Sequence, residues 1–232
     1  MRGYTERTKR LRQVSVTTQP SISLERALLQ TDFYKEHYGT VEIPILRALS
    51  FKHYIANRKL YIGNDELIVG EKSEGPQVAP TFPEICAHSV QDMEVMNARE
   101  LISFKVQDGD YALQAERILP FWQGKSTRDK IMAAMSPEWK DAFAAGMFTE
   151  FMEQRAAGHT VADDKFYKKG FLDFRAEIEA SMAELDHVHD LEAYDKQVQL
   201  EAMAIACDAM VLYGQRYAAY ARELAAAESD PN

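Results

Sequence analysis

Residues 192–227 read EAYDKQVQLEAMAIACDAMVLYGQRYAAYARELAAA. The stretch has no proline and a single glycine, Gly214, so nothing in it stops a helix of some 35 residues. Between Ala202 and Leu212 the side chains are apolar on nearly every side. A helix without a polar face is buried in something large, which argues for a mainly helical fold around a substantial core. The sequence closes at Ser229-Asp230-Pro231-Asn232, soon after this helix. The expectation is that its cover comes from a partner or from further sequence.

Working outward from that helix, Gly170 breaks the chain ahead of Phe171, Phe174, Ile178, Met182 and Leu185. That spacing makes one buried stripe. Ser136-Pro137-Glu138 combines an N-cap, a proline at the first helical position and an acid at the positive end of the dipole. Trp139 and Phe143, four apart on that helix, are expected in the core. Ser126 and Asp129 form a capping box ahead of Ile131 and Met132. Nearer the start, Ser23 caps a helix with Glu25 in its first turn, and Pro44 opens another that runs to about Arg58. The exceptions to helix lie between. Leu60-Tyr61-Ile62 and Leu67-Ile68-Val69 flank Asn64-Asp65 and are expected as two short strands around a turn. Glu74 to Pro83, with three prolines, reads as a loop. The predicted fold is mainly α with short β strands, and no linker or repeat divides residues 1–232.

Composition narrows the function. The chain has 232 residues, 46% apolar and 27% charged, with a formal net charge of −9. This is globular composition, and the acidic balance disfavours nucleic acid and anionic membranes as partners. Apolar runs fall short of the roughly 20 residues of a membrane span. The basic start, Arg2 to Arg12, is followed by no apolar run, so a cytoplasmic location is expected. The two cysteines, Cys86 and Cys207, lie far apart and are expected as free thiols rather than a disulfide.

Asp186-His187-Val188-His189-Asp190 is the one dense His and carboxylate cluster. Paired histidines can bind metal, but at a helix end they also suit the dipole, and no metal site is expected. Cys86 with His88 has the composition of a nucleophile pair, yet activation needs an electropositive setting, so a structural thiol is the expectation. Leu67 to Glu71 lacks the following glycine-rich turn of a phosphate loop. Gly146 to Asp164 stands out more, with Phe148, Phe151, Glu153, Arg155, Gly158 and His159 close together. It reads as a helix ending near Arg155, then a turn that sets His159 outside it, an arrangement suited to a substrate pocket, although on residue pattern alone a core-packing helix with a satisfied His159 is the first expectation.

That segment also resembles a known family. Gly146-Met147-Phe148-Thr149-Glu150-Phe151-Met152-Glu153-Gln154-Arg155-Ala156-Ala157-Gly158-His159-Thr160-Val161 is similar to the Phe-Thr-Glu-Phe-Met-Glu-Gln-Arg-Ala-Pro-Gly-His-Thr stretch of glycyl radical dehydratases and lyases. Thr5-Glu6-Arg7, Pro20 to Ala27, Glu66 to Glu71, Pro80 to Ile85, Tyr167 to Asp173 and Ala206 to Ala209 match the family in order. Arg47 to Ile55 and Glu201 to Met210 most resemble the branch that dehydrates trans-4-hydroxy-L-proline. The resemblance spans essentially the whole chain. It implies the N-terminal helical part of the family's ten-stranded α/β barrel fold, with the barrel itself largely missing, as a fragment of a pyruvate formate-lyase-type domain covering 1–232.

For full-length members the resemblance implies a backbone glycyl radical, installed by an activating enzyme that uses S-adenosylmethionine and an iron–sulfur cluster. The radical oxidises a cysteine to a thiyl, which abstracts a substrate hydrogen before water leaves. Homodimers are the family's habit, in anaerobic cytoplasm. The family's pocket Phe and His correspond to Phe151, packing on the substrate, and His159, hydrogen-bonding it. The sequence also departs from the family. Neither Cys86 nor Cys207 follows a glycine, so the Gly-Cys-x-Glu segment with thiyl cysteine and general base is absent. No Arg-Val pair occurs, so the radical-glycine segment is absent, and Ala157 replaces the proline before Gly158. No catalytic residue and no bound cofactor are therefore expected in these 232 residues, only the two pocket residues. The expected reading is a dehydratase fragment inactive alone. The alternatives are a fragment of a sister lyase and a non-enzymatic helical protein that binds a partner through its last helix.

Overall fold

The computed structural model describes residues 4–148 and 163–229. The described chain forms two compact units, with residues 17–31 and 77–148 in one and the remaining described residues in the other, so the division falls within the second helix.

The first unit is built on a short parallel pair, β1 (Ser21–Ser23) and β2 (Val78–Pro80), in register Ser21 to Val78, Ile22 to Ala79 and Ser23 to Pro80. Lys105 extends the pairing beside β1, donating to the Pro20 carbonyl and accepting from the Ile22 amide. The expected loop from Glu74 to Pro83 thus contains a strand. Pro80 has no amide proton to give, which suits the end of an edge strand. Ser23 Oγ accepts from the Glu25 amide and starts α2 (Glu25–His37), as expected. Then come α4 (Val90–Ala98), α5 (Asp108–Leu113), α6 (Leu119–Trp122), α7 (Thr127–Ala134) and α8 (Pro137–Ala144). A π-helical turn, Gln114–Ile118, joins α5 to α6 directly ahead of Pro120. Proline has no amide for the regular ladder and its ring crowds the preceding turn, and the wider turn relieves both. The core holds Ile22, Leu24, Met93, Val106, Ile118 and Trp122. Trp122 donates from Nε1 to Thr31 Oγ1 at 2.9 Å, which in turn donates to the Ala27 carbonyl.

The second unit holds α1 (Glu6–Thr17), α3 (Ile43–Asn57), α9 (Phe171–Ala183) and α10 (Ala193–Ala227), with the loop 58–76 tied to α1, α3 and α10. Pro44 sits in the first turn of α3, and Gly170 precedes α9 with its amide held by Asp173. The 35 residues of α10 match the reading of the opening stretch. α3 and α9 pack along it within the chain and supply part of its cover, while Met203 on it is 51% exposed. Ile178 meets Ala204 and Cys207, with Phe171, Phe174, Met182 and Leu200 around them. Small residues at Ala202, Ala204 and Ala209 let the helices approach closely. Among the described residues no helix is long and apolar enough to cross a membrane.

The two strands expected between Leu60 and Val69 do not form. The Asn64-Asp65 turn does, with Asp65 at φ +68°, but side chains take the hydrogen bonds that a hairpin would need. Glu66 Oε2 accepts from the Gly63 amide, and Arg7 donates to the Asp65 carbonyl. Local β propensity loses to these tertiary partners. Ser126 caps α7 through the Asp129 amide, yet Asp129 Oδ2 takes the Gly124 amide, so the return bond of the capping box goes elsewhere. Trp139, expected in the core, is 60% exposed, because α8 has only eight residues and the described residues leave that ring largely uncovered.

Candidate functional site

Phe151 and His159, and the helix expected to end near Arg155, lie outside the described residues. The approach to them is described. α8 closes with a glycine motif: the Gly146 amide donates to the Phe143 carbonyl and the Met147 amide to the Ala142 carbonyl. Gly146 takes φ +72°, which favours a residue without Cβ. Phe148 then folds back on the helix, edge-on to Trp139 at 5.4 Å and tilted against Phe143 at 5.7 Å. Arg128 lies 5.8 Å over the Phe143 ring. The stretch that carries the candidate pocket residues therefore leaves a defined aromatic corner.

Cys86 and His88 line a cavity of about 10 Å³ together with Thr81 and Gln114. That is room for about one water and not for an amino-acid-sized substrate. Arg128 Nη1 donates to Cys86 Sγ at 3.3 Å. Gln114 Nε2 donates to the His88 carbonyl at 2.6 Å. Burial pushes the His88 imidazole below its ordinary pKa, against the pull of Asp92 3.9 Å away, with Arg128 adding to the downward shift. The Arg128 guanidinium makes the setting of Cys86 electropositive, but a cavity this small admits no substrate beside the thiol. Cys207 sits in the α9–α10 core, where burial pushes its thiol up.

The Asp186–Asp190 cluster is a turn. Asp186 accepts from the His189 ring at 2.8 Å and from the Val188 and His189 amides, and these bonds, the ring's first, hold its carboxyl below the usual range. Among the described residues no three His, Cys, Asp or Glu side chains converge as metal ligands.

A densely bonded buried cation, Arg58, was not singled out from the sequence. It is 4% exposed at the end of α3. Its guanidinium donates to the Glu71 carbonyl, to the Ser73 carbonyl at 3.5 Å, to the Lys59 carbonyl at 3.2 Å and to Tyr213 Oη at 3.4 Å. It lies 5.3 Å and 5.6 Å over the Tyr54 and Tyr213 rings. Burial pushes the Tyr213 phenol up to about 12 while Arg58 pulls it down. Arg216 adds a bond to the Arg58 carbonyl at 2.9 Å. With its donors on three carbonyls and the Tyr213 hydroxyl, Arg58 ties down the loop 59–73. Only its place at a helix C-terminus, where cations suit the dipole, was a local signal.

Comparison with known proteins gives this framework a family. Residues 4–232 match the family model described as pyruvate formate lyase-like. The chain is 58% identical over 229 residues to the trans-4-hydroxy-L-proline dehydratase of Clostridioides difficile, across 99% of this chain and 29% of the relative. The crystal structure of hydroxyproline dehydratase from that organism, with trans-4-hydroxy-L-proline bound, superposes with a TM-score of 0.92 over 99% of this chain and 29% of that one. The glycerol-bound B12-independent glycerol dehydratase of Clostridium butyricum follows at 0.89 and 27% identity, over 99% and 29%. The chain thus spans less than a third of the length of the relatives it matches, at their N-terminal portion. The helical architecture around a two-stranded sheet is the N-terminal part of the glycyl radical enzyme fold, and the chain belongs to the pyruvate formate lyase-like family.

Proposed function

We propose that these residues are the N-terminal portion of a glycyl radical dehydratase that removes water from trans-4-hydroxy-L-proline, with 1–232 forming one continuous part of its domain. The observation that carries the reading is the 58% identity to the hydroxyproline enzyme, sustained over the whole chain, against 27% to the glycerol enzyme. In this reading Phe151 packs on the substrate's carbon skeleton. His159 hydrogen-bonds the substrate and assists departure of the hydroxyl as water, a task imidazole suits near neutral pH. The match of residues 146–161 to the family's pocket stretch supports both roles. Thiyl cysteine, general base and radical glycine come from polypeptide beyond these residues. An activating enzyme using S-adenosylmethionine installs the radical, and the assembled enzyme is a cytoplasmic homodimer working without oxygen.

The test is a full-length chimera in which residues 1–232 replace the aligned portion of the Clostridioides difficile enzyme, activated anaerobically. The expected result is consumption of trans-4-hydroxy-L-proline. His159→Ala lowers kcat by about 10²-fold or more while the glycyl radical signal stays unchanged. A chimera that carries the radical in full yield and leaves hydroxyproline untouched refutes the substrate assignment, and turnover of a diol instead favours a sister enzyme.

A further inference from the structure

Leu67, Ile68 and Val69 form a run of three apolar residues that are 81%, 92% and 40% exposed. An exposed apolar run of this kind marks an interaction site in a folded protein. The loop that carries it is firmly tied on both sides. Upstream, Arg10 grips the Asp65 carboxylate with both Nε and Nη2, while Arg7 holds the Asp65 carbonyl. Downstream, Gly70 takes φ +134°, a conformation that L side chains rarely adopt. Beyond it Arg58 holds the Glu71 and Ser73 carbonyls, and Tyr54 Oη donates to the Lys72 carbonyl at 3.0 Å. The apolar tip is therefore presented by a braced loop, while its own side chains meet solvent.

We infer that Leu67–Val69 is a preformed plug that seats in an apolar socket of the polypeptide following this portion in the full-length enzyme. The inference rests on the reading under Proposed function. Two observations select that occupant. The chain spans 29% of the length of its relatives, so in a protein of that length most of the polypeptide lies beyond these residues. A tip of three side chains also falls well short of the roughly 800 Å² per partner that a stable intermolecular interface buries. Covalent continuity removes that requirement, because docking within one chain proceeds at high effective concentration.

Hydrogen exchange on the wild-type proteins is the first test, comparing the 232-residue chain with the full-length chimera. In the chimera the amides of residues 67–69 are expected to exchange at least a hundredfold more slowly than in the short chain. Ile68→Asp is expected to lower the unfolding midpoint of the chimera by 5 °C or more and to leave that of the short chain within 1 °C. The milder Ile68→Ala shows a smaller drop in the same direction. Equal exchange of these amides in both proteins overturns the plug. So does an equal effect of Ile68→Asp on both, which makes the loop part of this chain's own packing. A short chain that is dimeric, and that Ile68→Asp renders monomeric, assigns the tip to a second copy instead. Protection at 67–69 in a chimera that leaves hydroxyproline untouched keeps the plug and refutes the substrate reading alone. A wild-type chimera that never folds refutes both.

Discussion

Replacing Arg58 by methionine tests the account of the loop 59–73 most directly. Methionine keeps much of the apolar stem and removes the guanidinium alone. The loss has separable parts. The Glu71 and Ser73 carbonyls give up a charged donor, and each such bond is worth about 1–2 kcal/mol net when its acceptor is left poorly satisfied. The cation over Tyr54 and Tyr213 adds about 0.5–1 kcal/mol. Part of this is recovered, because a buried guanidinium without a carboxylate carries a desolvation cost. The expected net destabilisation is about 2–4 kcal/mol, which at roughly 2–4 °C per kcal/mol for a chain of this size lowers Tm by about 4–16 °C. Thermal melts followed by far-UV circular dichroism measure it, with limited proteolysis to locate it. Cleavage is expected to move into residues 59–73. Lys9→Ala is the control, since its ion pair with Glu6 is solvent-exposed and its loss is expected to leave the midpoint nearly unchanged. An Arg58→Met protein that melts within 1 °C of wild type, with no new cleavage in the loop, refutes the reasoning.

Trp122→Phe removes the Nε1 donor to buried Thr31 and is expected to cost about 2–3 kcal/mol in urea unfolding, while Trp139→Phe, at an exposed position, costs less than about 1 kcal/mol. The two tryptophans also separate by fluorescence, with blue-shifted emission lost in the first variant and red-shifted emission in the second. Gly146→Ala places a Cβ at φ +72° and is expected to destabilise by about 1 kcal/mol, read as a lowered melting midpoint. His88 has its folded pKa lowered by burial, so the unfolded chain binds the proton more readily. Its contribution to stability is present above the unfolded value of about 6.5 and is lost as pH falls below it toward the lowered folded value. Unfolding midpoints measured from pH 8 to pH 5 are expected to decline less in His88→Gln than in wild type.

The helix starts were legible because their causes are local. Ser136-Pro137-Glu138, Pro44, Ser23 and Gly170 each act within one turn of the helix they open, and the periodicity of Phe171, Phe174 and Ile178 lies on one element. The pairing of Ser21–Ser23 with Val78–Pro80 was not legible. Three-residue strands carry no alternation to read, and their partners lie far apart along the chain. At Leu60 to Val69 local propensity pointed to strands, and side chains from α1 and α3 decided otherwise. Phe151 and His159 were picked out through the family resemblance of their stretch. Spacing alone leaves a pocket histidine and a packed one equivalent, because the difference lies in what faces the ring across space.

By itself, then, the sequence determined the helical class, the length of α10, the starts of α2, α3, α7, α8 and α9, and the family. Tertiary structure alone decided that α3 and α9 pack along α10, that Arg58 and Tyr213, 155 residues apart, clamp one loop, and that the apolar tip at Ile68 faces solvent. The physical reason is range. Capping and periodicity act over one turn of backbone, whereas burial is set by whichever distant side chains arrive, and no local pattern records them.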